Sequence, residues 1–378
     1  MKRATFIILC LEGAVLSFNV AASAALIPSI AADFALSQFV VGRIIWLYMI
    51  PYGLAAFFYG PLVRAFDARK VELVCIFLFS LANLLAGISQ NIASLFVARF
   101  MMGLFGASVI PLGLILIARR LNEEKRGRYI GLFFGSTFVA SLLGLFLSGI
   151  INWRLIFIIP ALSGFILWIF MYICLPSFKE DTGNFRFGYL EAFRNKKVIK
   201  IFSYIFLISL IYHAVQQWLG VYFSTQLNLN QFYISMLITL TSLSGIFGEV
   251  WGGRLADKVG RIKVVNLGIA LMVMCIFSFL IKLPLSLLVL IMIVWGLGWT
   301  FNHVGLSTML ADLPAELLNE AASLNSGVRF ISGGIGVSLG GLIMQKSFVL
   351  GFLVFGSGLL ILLYLSRLVN NKNMGGEI

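Results

Sequence analysis

The stretch Gly253-Arg-Leu-Ala-Asp257-Lys258-Val-Gly260-Arg261-Ile-Lys263 decides the fold, because a degraded copy of it occurs earlier in the chain. That copy is Gly60-Pro-Leu-Val-Arg64-Ala-Phe-Asp67-Ala-Arg69-Lys70. Gly60 to Gly253 and Lys70 to Lys263 are the same 193 residues apart, and this offset also carries Gly103-Leu104 onto Gly296-Leu297. A chain of 378 residues that repeats itself at half its length is predicted to consist of two fused, similar halves.

The composition indicates that most of this chain is surrounded by lipid rather than water. Hydrophobic residues make up 60% and charged residues 11%, whereas soluble domains carry about 25% charged residues. A bilayer core about 30 Å thick requires roughly 20 apolar residues per spanning helix. We therefore predict an all-α polytopic membrane protein with twelve transmembrane helices in two pseudo-symmetric six-helix bundles. The predicted spans lie near 5–30, 40–62, 71–89, 92–117, 129–150, 155–174, 198–224, 232–252, 264–281, 285–309, 321–344 and 349–367.

The net charge of +13 is explained by where the basic residues lie. With both termini on the cytoplasmic side, 22 Lys and Arg fall on that side and 4 on the other. This asymmetry is the positive-inside pattern of membrane proteins, so binding to nucleic acid is not predicted. The prediction is a multi-pass protein of the inner membrane, in contact with the lipid bilayer.

One long polar segment divides the chain in the middle. We predict an N-terminal six-helix bundle over 1–174, a cytoplasmic linker over 175–197 with a short surface helix at Tyr189–Arg194, and a C-terminal six-helix bundle over 198–378. The four cysteines match no metal or disulfide spacing, and no nucleophile–base pairing or phosphate-binding loop occurs. No cofactor, metal or catalytic residue is predicted. We expect that the protein is not an enzyme and that it is a monomer.

Glycine is frequent and often recurs four residues apart, as in Gly336-x-x-x-Gly340 and the group Gly131, Gly135 and Gly144. Small residues let helix backbones approach each other where lipid supplies no hydrophobic drive. These glycines are predicted to mark helix-packing faces.

The repeated loop, Gly-x-x-x-Asp-Arg/Lys-x-Gly-x-x-Arg/Lys, resembles the signature loop of the major facilitator superfamily. Leu26-Ile-Pro28-Ser-Ile-Ala-Ala-Asp33-Phe34, Arg99-Phe-Met-Met-Gly103 and Asn152-Trp153-Arg154 resemble further patterns of its twelve-span drug:proton antiporters. The sequence departs from the patterns of this antiporter subgroup at two places. Arg64 stands where the family has Asp, and Val139-Ala140 stand where the antiporter motif of span 5 has Gly-Pro.

Three ionisable residues are the candidates for proton coupling. Glu12 lies about 10 Å into span 1, and a buried carboxylate there suits uptake and release of protons. The resemblance implies the same role for Arg99, whose alternative is a structural Arg bonded to backbone carbonyls. Asp33, at the end of span 1, is the third candidate. For Arg329 in span 11 a structural ion-pair cluster with Asp312, Glu316 and Glu320 is favoured.

Aromatic and hydrogen-bonding groups on three helix faces are the candidates for contact with a small-molecule substrate. Each face has an alternative, since polar residues also join helices and aromatic residues also mark membrane interfaces. The predicted cavity residues are Asn19 in span 1, Tyr48 and Tyr52 in span 2, His213, Gln216 and Gln217 in span 7, and Trp299, Asn302 and His303 in span 10.

The two loops are the candidate gating elements. In the family the loop's Asp accepts hydrogen bonds from a neighbouring helix end and releases them as the halves rock, which implies this part for Asp257 with Arg261. Asp67 is the substitute acceptor in the first loop, and Glu249 is assigned to a charge network between spans 8 and 11. The predicted gating residues are Gly60, Asp67, Arg69, Glu249, Gly253, Asp257, Gly260, Arg261 and Lys263.

The leading hypothesis is a secondary active transporter that exports amphipathic, drug-like compounds in exchange for protons. A cavity of aromatic groups with one acidic residue favours neutral or cationic compounds. Proton-coupled uptake of a small metabolite is the alternative, and a sensor of the same fold that transports nothing is the rival from another class.

Overall fold

The computed structural model describes residues 3–120, 123–177, 195–311 and 315–369, and it contains only helices and turns in these ranges. The helices before residue 177 are Arg3–Ser17, Ala22–Ala25, Ile27–Phe34, Gln38–Val41, Arg43–Ala65, Ala68–Gly87, Ile92–Gly106, Val109–Arg120, Glu123–Leu147 and Trp153–Cys174. Those after residue 195 are Lys196–Gln216, Leu219–Thr225, Gln231–Val259, Arg261–Ser278, Leu285–Ala311, Ala315–Met344 and Phe348–Val369. The predicted surface helix at Tyr189–Arg194 lies outside the described residues.

Twelve segments of the described chain are long and apolar enough to cross a membrane, which confirms the predicted number and order. We number them spans 1 to 12. They are Arg3–Ala25, Gln38–Tyr59, Ala68–Gly87, Ile92–Ile117, Arg126–Leu147, Trp153–Cys174, Val198–Thr225, Gln231–Val259, Arg261–Ser278, Leu285–Leu310, Leu324–Met344 and Phe348–Ser366.

Two compact units divide the chain. Unit 1 comprises Met1–Phe187 and Phe223–Met236, and unit 2 comprises Gly188–Tyr222 and Leu237–Ile378. The segment 223–236 groups with unit 1 through polar contacts: Gln231 Nε2 donates to Ala25 O at 2.9 Å, and Gln231 Oε1 accepts from Ser29 Oγ at 2.7 Å. The predicted boundaries at 174 and 198 assigned this segment to the second half, and they stay predictions.

Span 1 and span 7, the first spans of the two halves, are both interrupted. The first helix of span 1 ends at Ser17 and the next begins at Ala22, and span 7 breaks between Gln216 and Leu219. Interrupted hydrophobic helices at corresponding positions of two repeats indicate where a transporter binds its ligand. The breaks in spans 1 and 7 therefore indicate a candidate ligand site in each unit.

Several glycines bring helix backbones into direct contact. A Cβ atom on Gly103 would overlap the carbonyl of Tyr48, and one on Gly144 would overlap the carbonyl of Phe18. In unit 2, Gly336 and Gly340 lie in the same way against the backbone of span 7. The packing role expected for these glycines holds for Gly144, Gly336 and Gly340. It does not hold for Gly131 and Gly135, because nothing lies within 4 Å of the position of a Cβ on either.

Candidate functional site

Two glutamates lie side by side inside unit 1. Glu12 of span 1 and Glu72 of span 3 are each 1% exposed, and their carboxyl groups are within hydrogen-bonding reach of each other. If both were ionised, none of the four oxygens would have a hydrogen-bond donor among the described residues. A proton shared between the two carboxyls forms the missing hydrogen bond and removes one of two buried like charges. The pair is thus a candidate site for a proton.

Glu72 was not singled out from the sequence, because span 3 was predicted to begin at residue 71 and Glu72 then lay at the end of the span. The helix begins at Ala68, where Asp67 caps it by accepting from Arg69 N at 2.9 Å, so Glu72 lies inside the first turns. Glu72 could have been found by the general rule that any ionisable residue within a span is a functional candidate.

Tyr59 and Cys75 border the glutamate pair. Cys75 Sγ donates to Tyr59 Oη at 3.4 Å, and Tyr59 Oη donates to Leu104 O at 2.8 Å. Both side chains are buried, and both interact electrostatically with Glu72. These neighbours carry no positive charge, so neither carboxylate has a counter-ion in the part of the chain that the structure describes.

Asn19 lies apart from Glu12. Its Nδ2 donates to Asn83 Oδ1 at 2.6 Å, and Ser23 Oγ donates to Asn19 O at 2.6 Å. Asn19 lies in the interruption of span 1 between Ser17 and Ala22, beyond the helix that carries Glu12. Asn19 joins span 1 to span 3, and its contact with a substrate stays a prediction.

The guanidinium of Arg99 is held by its own unit. Arg99 is 1% exposed, its Nε donates to Ile44 O at 3.1 Å, and its Cζ lies 4.4 Å from the ring centroid of Tyr48. Tyr52 extends this group, with its ring 5.6 Å from that of Tyr48. The arrangement matches the structural alternative, in which a backbone carbonyl and an aromatic face stabilise the buried cation.

Asp33 forms an ion pair at the end of unit 1 opposite the N-terminus of span 1. Arg154 Nη2 donates to Asp33 Oδ2 at 2.9 Å and Trp153 Nε1 donates to the same oxygen at 3.2 Å, with the Asp33 side chain 44% exposed. An ion pair with this exposure is screened by solvent. The proton-coupling role of Asp33 stays a prediction.

Unit 2 contains a continuous aromatic cluster on spans 7 and 10. The rings of Tyr212 and Trp299 stack at 3.8 Å and an interplanar angle of 10°, and the ring of Trp295 stacks with that of Tyr212 at 5.4 Å. His213 meets Trp299 edge-on at 5.5 Å. Trp295 Nε1 donates to Gln216 Oε1 at 2.6 Å, which fixes both side chains. The predicted residues His213, Gln216 and Trp299 are brought together here, and Tyr212 is an addition.

The remaining predicted cavity residues of unit 2 divide into two groups. His303 belongs to the cluster: its ring lies 6.2 Å from Trp299, and its Nδ1 contacts Glu249 Oε1 at 3.1 Å. Asn302 is fully buried against Gly268 of span 9, away from the cluster. Gln217 is half-buried at the break in span 7, and its substrate contact stays a prediction.

Arg329 of span 11 lies beside the same cluster. Its Cζ is 5.9 Å from the ring centroid of Trp299, and its Nε donates to Asn325 Oδ1 at 2.8 Å. Nη1 and Nη2 are buried and have no hydrogen-bond partner among the described residues. The predicted ion-pair partners cannot be placed, since Asp312 and the side chains of Glu316 and Glu320 lie outside the described part.

The intact loop forms a tight turn between spans 8 and 9. Gly260 has φ of +95°, a conformation that favours glycine, and its N–H donates to Ala256 O at 3.0 Å. Arg261 Nη1 donates to Thr308 O of span 10 at 2.7 Å. Asp257 and Lys263 are exposed at this end, and Gly253 has open space where a side chain would be. The loop therefore ties spans 8, 9 and 10 to one another.

The degraded loop has a different arrangement. Asp67 caps span 3 and also accepts a hydrogen bond from Ser177 Oγ, while Arg69 Nη2 donates to Tyr172 O. Both contacts hold spans 3 and 6 together within unit 1. The surroundings of Gly60 and the side chain of Arg64 lie outside the described residues.

Asp257→Asn is expected to increase the fraction of molecules whose predicted cytoplasmic side is open, because the neutral amide is a weaker acceptor for a neighbouring helix end. The measurement is maleimide labelling of single cysteines placed at the two ends of span 8. Lys258→Gln, which changes the adjacent exposed charge, is the matched control. Equal labelling of the Asp257→Asn variant and the unaltered protein at both ends would show that Asp257 has no part in gating.

Comparison with known proteins identifies the family. The model of the Major Facilitator Superfamily matches residues 9–341. The chain belongs to the Major Facilitator Superfamily. Its relatives include the uncharacterized MFS-type transporter YbcL of Bacillus subtilis (strain 168), which is 22% identical over 370 residues, 95% of each chain.

Solved structures of two other transporters have the same fold. The nucleoside transporter NupG aligns with a TM-score of 0.76 over 98% of both chains at 14% identity. A POT family transporter in complex with 5-aminolevulinic acid aligns with a TM-score of 0.80, covering 97% of this chain and 96% of that one at 11% identity. The chain is thus a twelve-span transporter of this superfamily, with a small-molecule substrate and the lipid bilayer as its surroundings.

Proposed function

We propose that this transporter is secondary active and proton-coupled, and that it exports a small amphipathic organic solute. The observation that carries the proposal is the pair Glu12 and Glu72, two buried carboxyls without a counter-ion among the described residues. A site that holds one proton between two carboxyls binds or releases it according to which side of the membrane it can exchange with. In this proposal the protein is a monomer of the inner membrane with both termini cytoplasmic.

The aromatic cluster of unit 2 supports an amphipathic solute. Stacked rings with a few fixed polar groups recognise a flat apolar body and orient it, as in other small-molecule sites. Drug-like compounds fit this description, and the resemblance to the antiporter branch favours their export.

Proton-coupled uptake of a small metabolite is the second candidate. The observation that favours it is the buried guanidinium of Arg329, since an importer of an organic anion needs a basic group that faces the solute. The solved relatives include a nucleoside transporter and a peptide transporter, so transport of polar metabolites occurs within this fold.

Flux into proteoliposomes tests the proposal and separates the two candidates. The purified full chain is reconstituted, a pH gradient of either sign is imposed, and accumulation is followed for tetraphenylphosphonium, indole, indole-3-acetate and phenylacetate. Export by exchange predicts accumulation when the interior is acidic, and uptake with a proton predicts accumulation when the exterior is acidic. Protein-free liposomes and collapse of the gradient with a protonophore are the controls. If no compound responds to either gradient, proton coupling is not the mechanism for these solute classes.

A further inference from the structure

The guanidinium of Arg329 is an incomplete binding group. Arg329 is 8% exposed, and one of its three nitrogens, Nε, has a partner in Asn325 Oδ1. The terminal nitrogens Nη1 and Nη2 are buried without an acceptor among the described residues. A buried cation whose donors are unused is costly, so such a group is expected to meet an acceptor in some state of the protein.

The acidic side chain that acts on Arg329 within unit 2 is otherwise engaged. Glu249 Oε1 contacts His303 Nδ1 at 3.1 Å, with the two side chains 37% and 32% exposed. Glu249 interacts with Arg329 electrostatically but forms no ion pair with it in the described structure. The arrangement keeps a negative charge near the guanidinium while leaving its two terminal nitrogens available.

The surface beside Arg329 is aromatic. Trp299 lies below the guanidinium, with Cζ 5.9 Å from the ring centroid, and Tyr212 stacks on Trp299 at 3.8 Å. Trp299 is half-buried, so part of its ring can contact a ligand. A planar fork of N–H donors next to a half-buried aromatic ring matches a carboxylate joined to a flat apolar group.

His213 limits the charge that the site accepts. A carbonyl oxygen can only accept, so His213 Nδ1, 2.8 Å from Ser209 O, carries the proton and donates it. In the neutral ring the other nitrogen carries a lone pair, which repels an anionic oxygen. With Glu249 also nearby, the site offers one unused cation, which favours a single carboxylate over a phosphate or a dicarboxylate.

We propose that Arg329 binds the carboxylate of an aromatic organic monoanion whose ring lies against the accessible part of Trp299. This inference rests on the proposed function, in that the solute site is taken to include the unit 2 cluster. It replaces the neutral or cationic solute expected from the sequence.

Equilibrium binding to the full chain in detergent tests the inference with matched probes. Indole-3-acetate and phenylacetate are compared with indole-3-acetamide and phenylacetamide by isothermal titration calorimetry. We expect the acids to bind roughly ten- to a hundredfold more tightly than the amides, as for a charge-assisted bidentate contact. Arg329→Gln is expected to abolish this preference, and Arg329→Lys to keep part of it. Trp299→Ala is expected to weaken acids and amides alike.

Two controls keep the result specific. Lys282→Gln removes an exposed cation from unit 2 and is expected to leave all affinities unchanged. The melting temperature of Arg329→Gln is measured alongside, and it is expected to stay equal or to rise because an uncompensated buried charge is removed.

Several outcomes would overturn the inference. Equal binding of acids and amides, no binding of either by the folded protein, or an acid preference that survives Arg329→Gln would each do so. A large drop in melting temperature for Arg329→Gln without acid binding by the unaltered protein would assign Arg329 to a structural ion pair. Acid binding that depends on Arg329 without gradient-driven flux would refute proton coupling and leave this inference standing. Gradient-driven flux without acid preference would support proton coupling and refute this inference.

Discussion

Replacing Glu12 by Gln, or Glu72 by Gln, is expected to abolish accumulation of the solute against its gradient while leaving its exchange across the membrane intact. The amide keeps the shape and hydrogen-bonding capacity of a protonated carboxyl but cannot release a proton. One pH unit supplies about 1.4 kcal/mol per proton, so a carrier that moves one proton per solute accumulates the solute about tenfold across such a gradient. Either variant is expected to reach no more than the equilibrium ratio of one.

The measurement is accumulation and counterflow of the same labelled solute in proteoliposomes. Both variants are expected to fold, because each removes a charge that has no counter-ion among the described residues. The same measurement on Asp33→Asn tests the other candidate carboxylate, which is paired with Arg154. Loss of accumulation in Asp33→Asn together with normal accumulation in Glu12→Gln would move the coupling site to the Asp33–Arg154 ion pair and refute the glutamate pair.

Gly144→Ala is expected to destabilise unit 1 severely. The added methyl group would overlap the carbonyl oxygen of Phe18, and this atom belongs to the backbone and cannot rotate away. Overpacking of this kind costs about 3 kcal/mol or more when the backbone must move. The expected result is a strongly lowered melting temperature and loss of the monodisperse peak in size-exclusion chromatography.

Gly135→Ala in the same helix is the matched control. Its added Cβ has no atom within 4 Å, and alanine favours a helix over glycine by about 1 kcal/mol. Its melting temperature is therefore expected to be unchanged or slightly raised. The close approach of span 1 to span 5 would be wrong if both variants melted at the temperature of the unaltered protein.

The helices could be predicted almost completely from the sequence. The predicted span 92–117 and the observed Ile92–Ile117 coincide, and the other spans differ by a few residues at their ends. The largest shift, at the end of span 8, arises because the helix continues through Asp257 to Val259 before Gly260 ends it. Hydropathy detects the apolar part of a helix, whereas the helix itself extends into the polar loop until its backbone pattern is broken.

The candidate sites could be predicted only in part. The faces of spans 7 and 10 were correctly grouped by spacing, since His213 and Gln216 on one helix meet Trp299 and Trp295 on the other. Asn302 shares the helix with Trp299 but faces span 9. Spacing along one helix gives the face of a residue, and it does not give which neighbouring helix covers that face.

The sequence by itself determined the solvent, the number and order of the spans, and the relation of the two loops. These follow from hydropathy and from an internal repeat, which are local or periodic properties of the chain. Only the tertiary structure decided that Glu12 meets Glu72, that Arg99 is held by Ile44 and Tyr48, and that two nitrogens of Arg329 are left without an acceptor. Each of these depends on the distance between side chains on different helices, which is set by how closely the backbones pack.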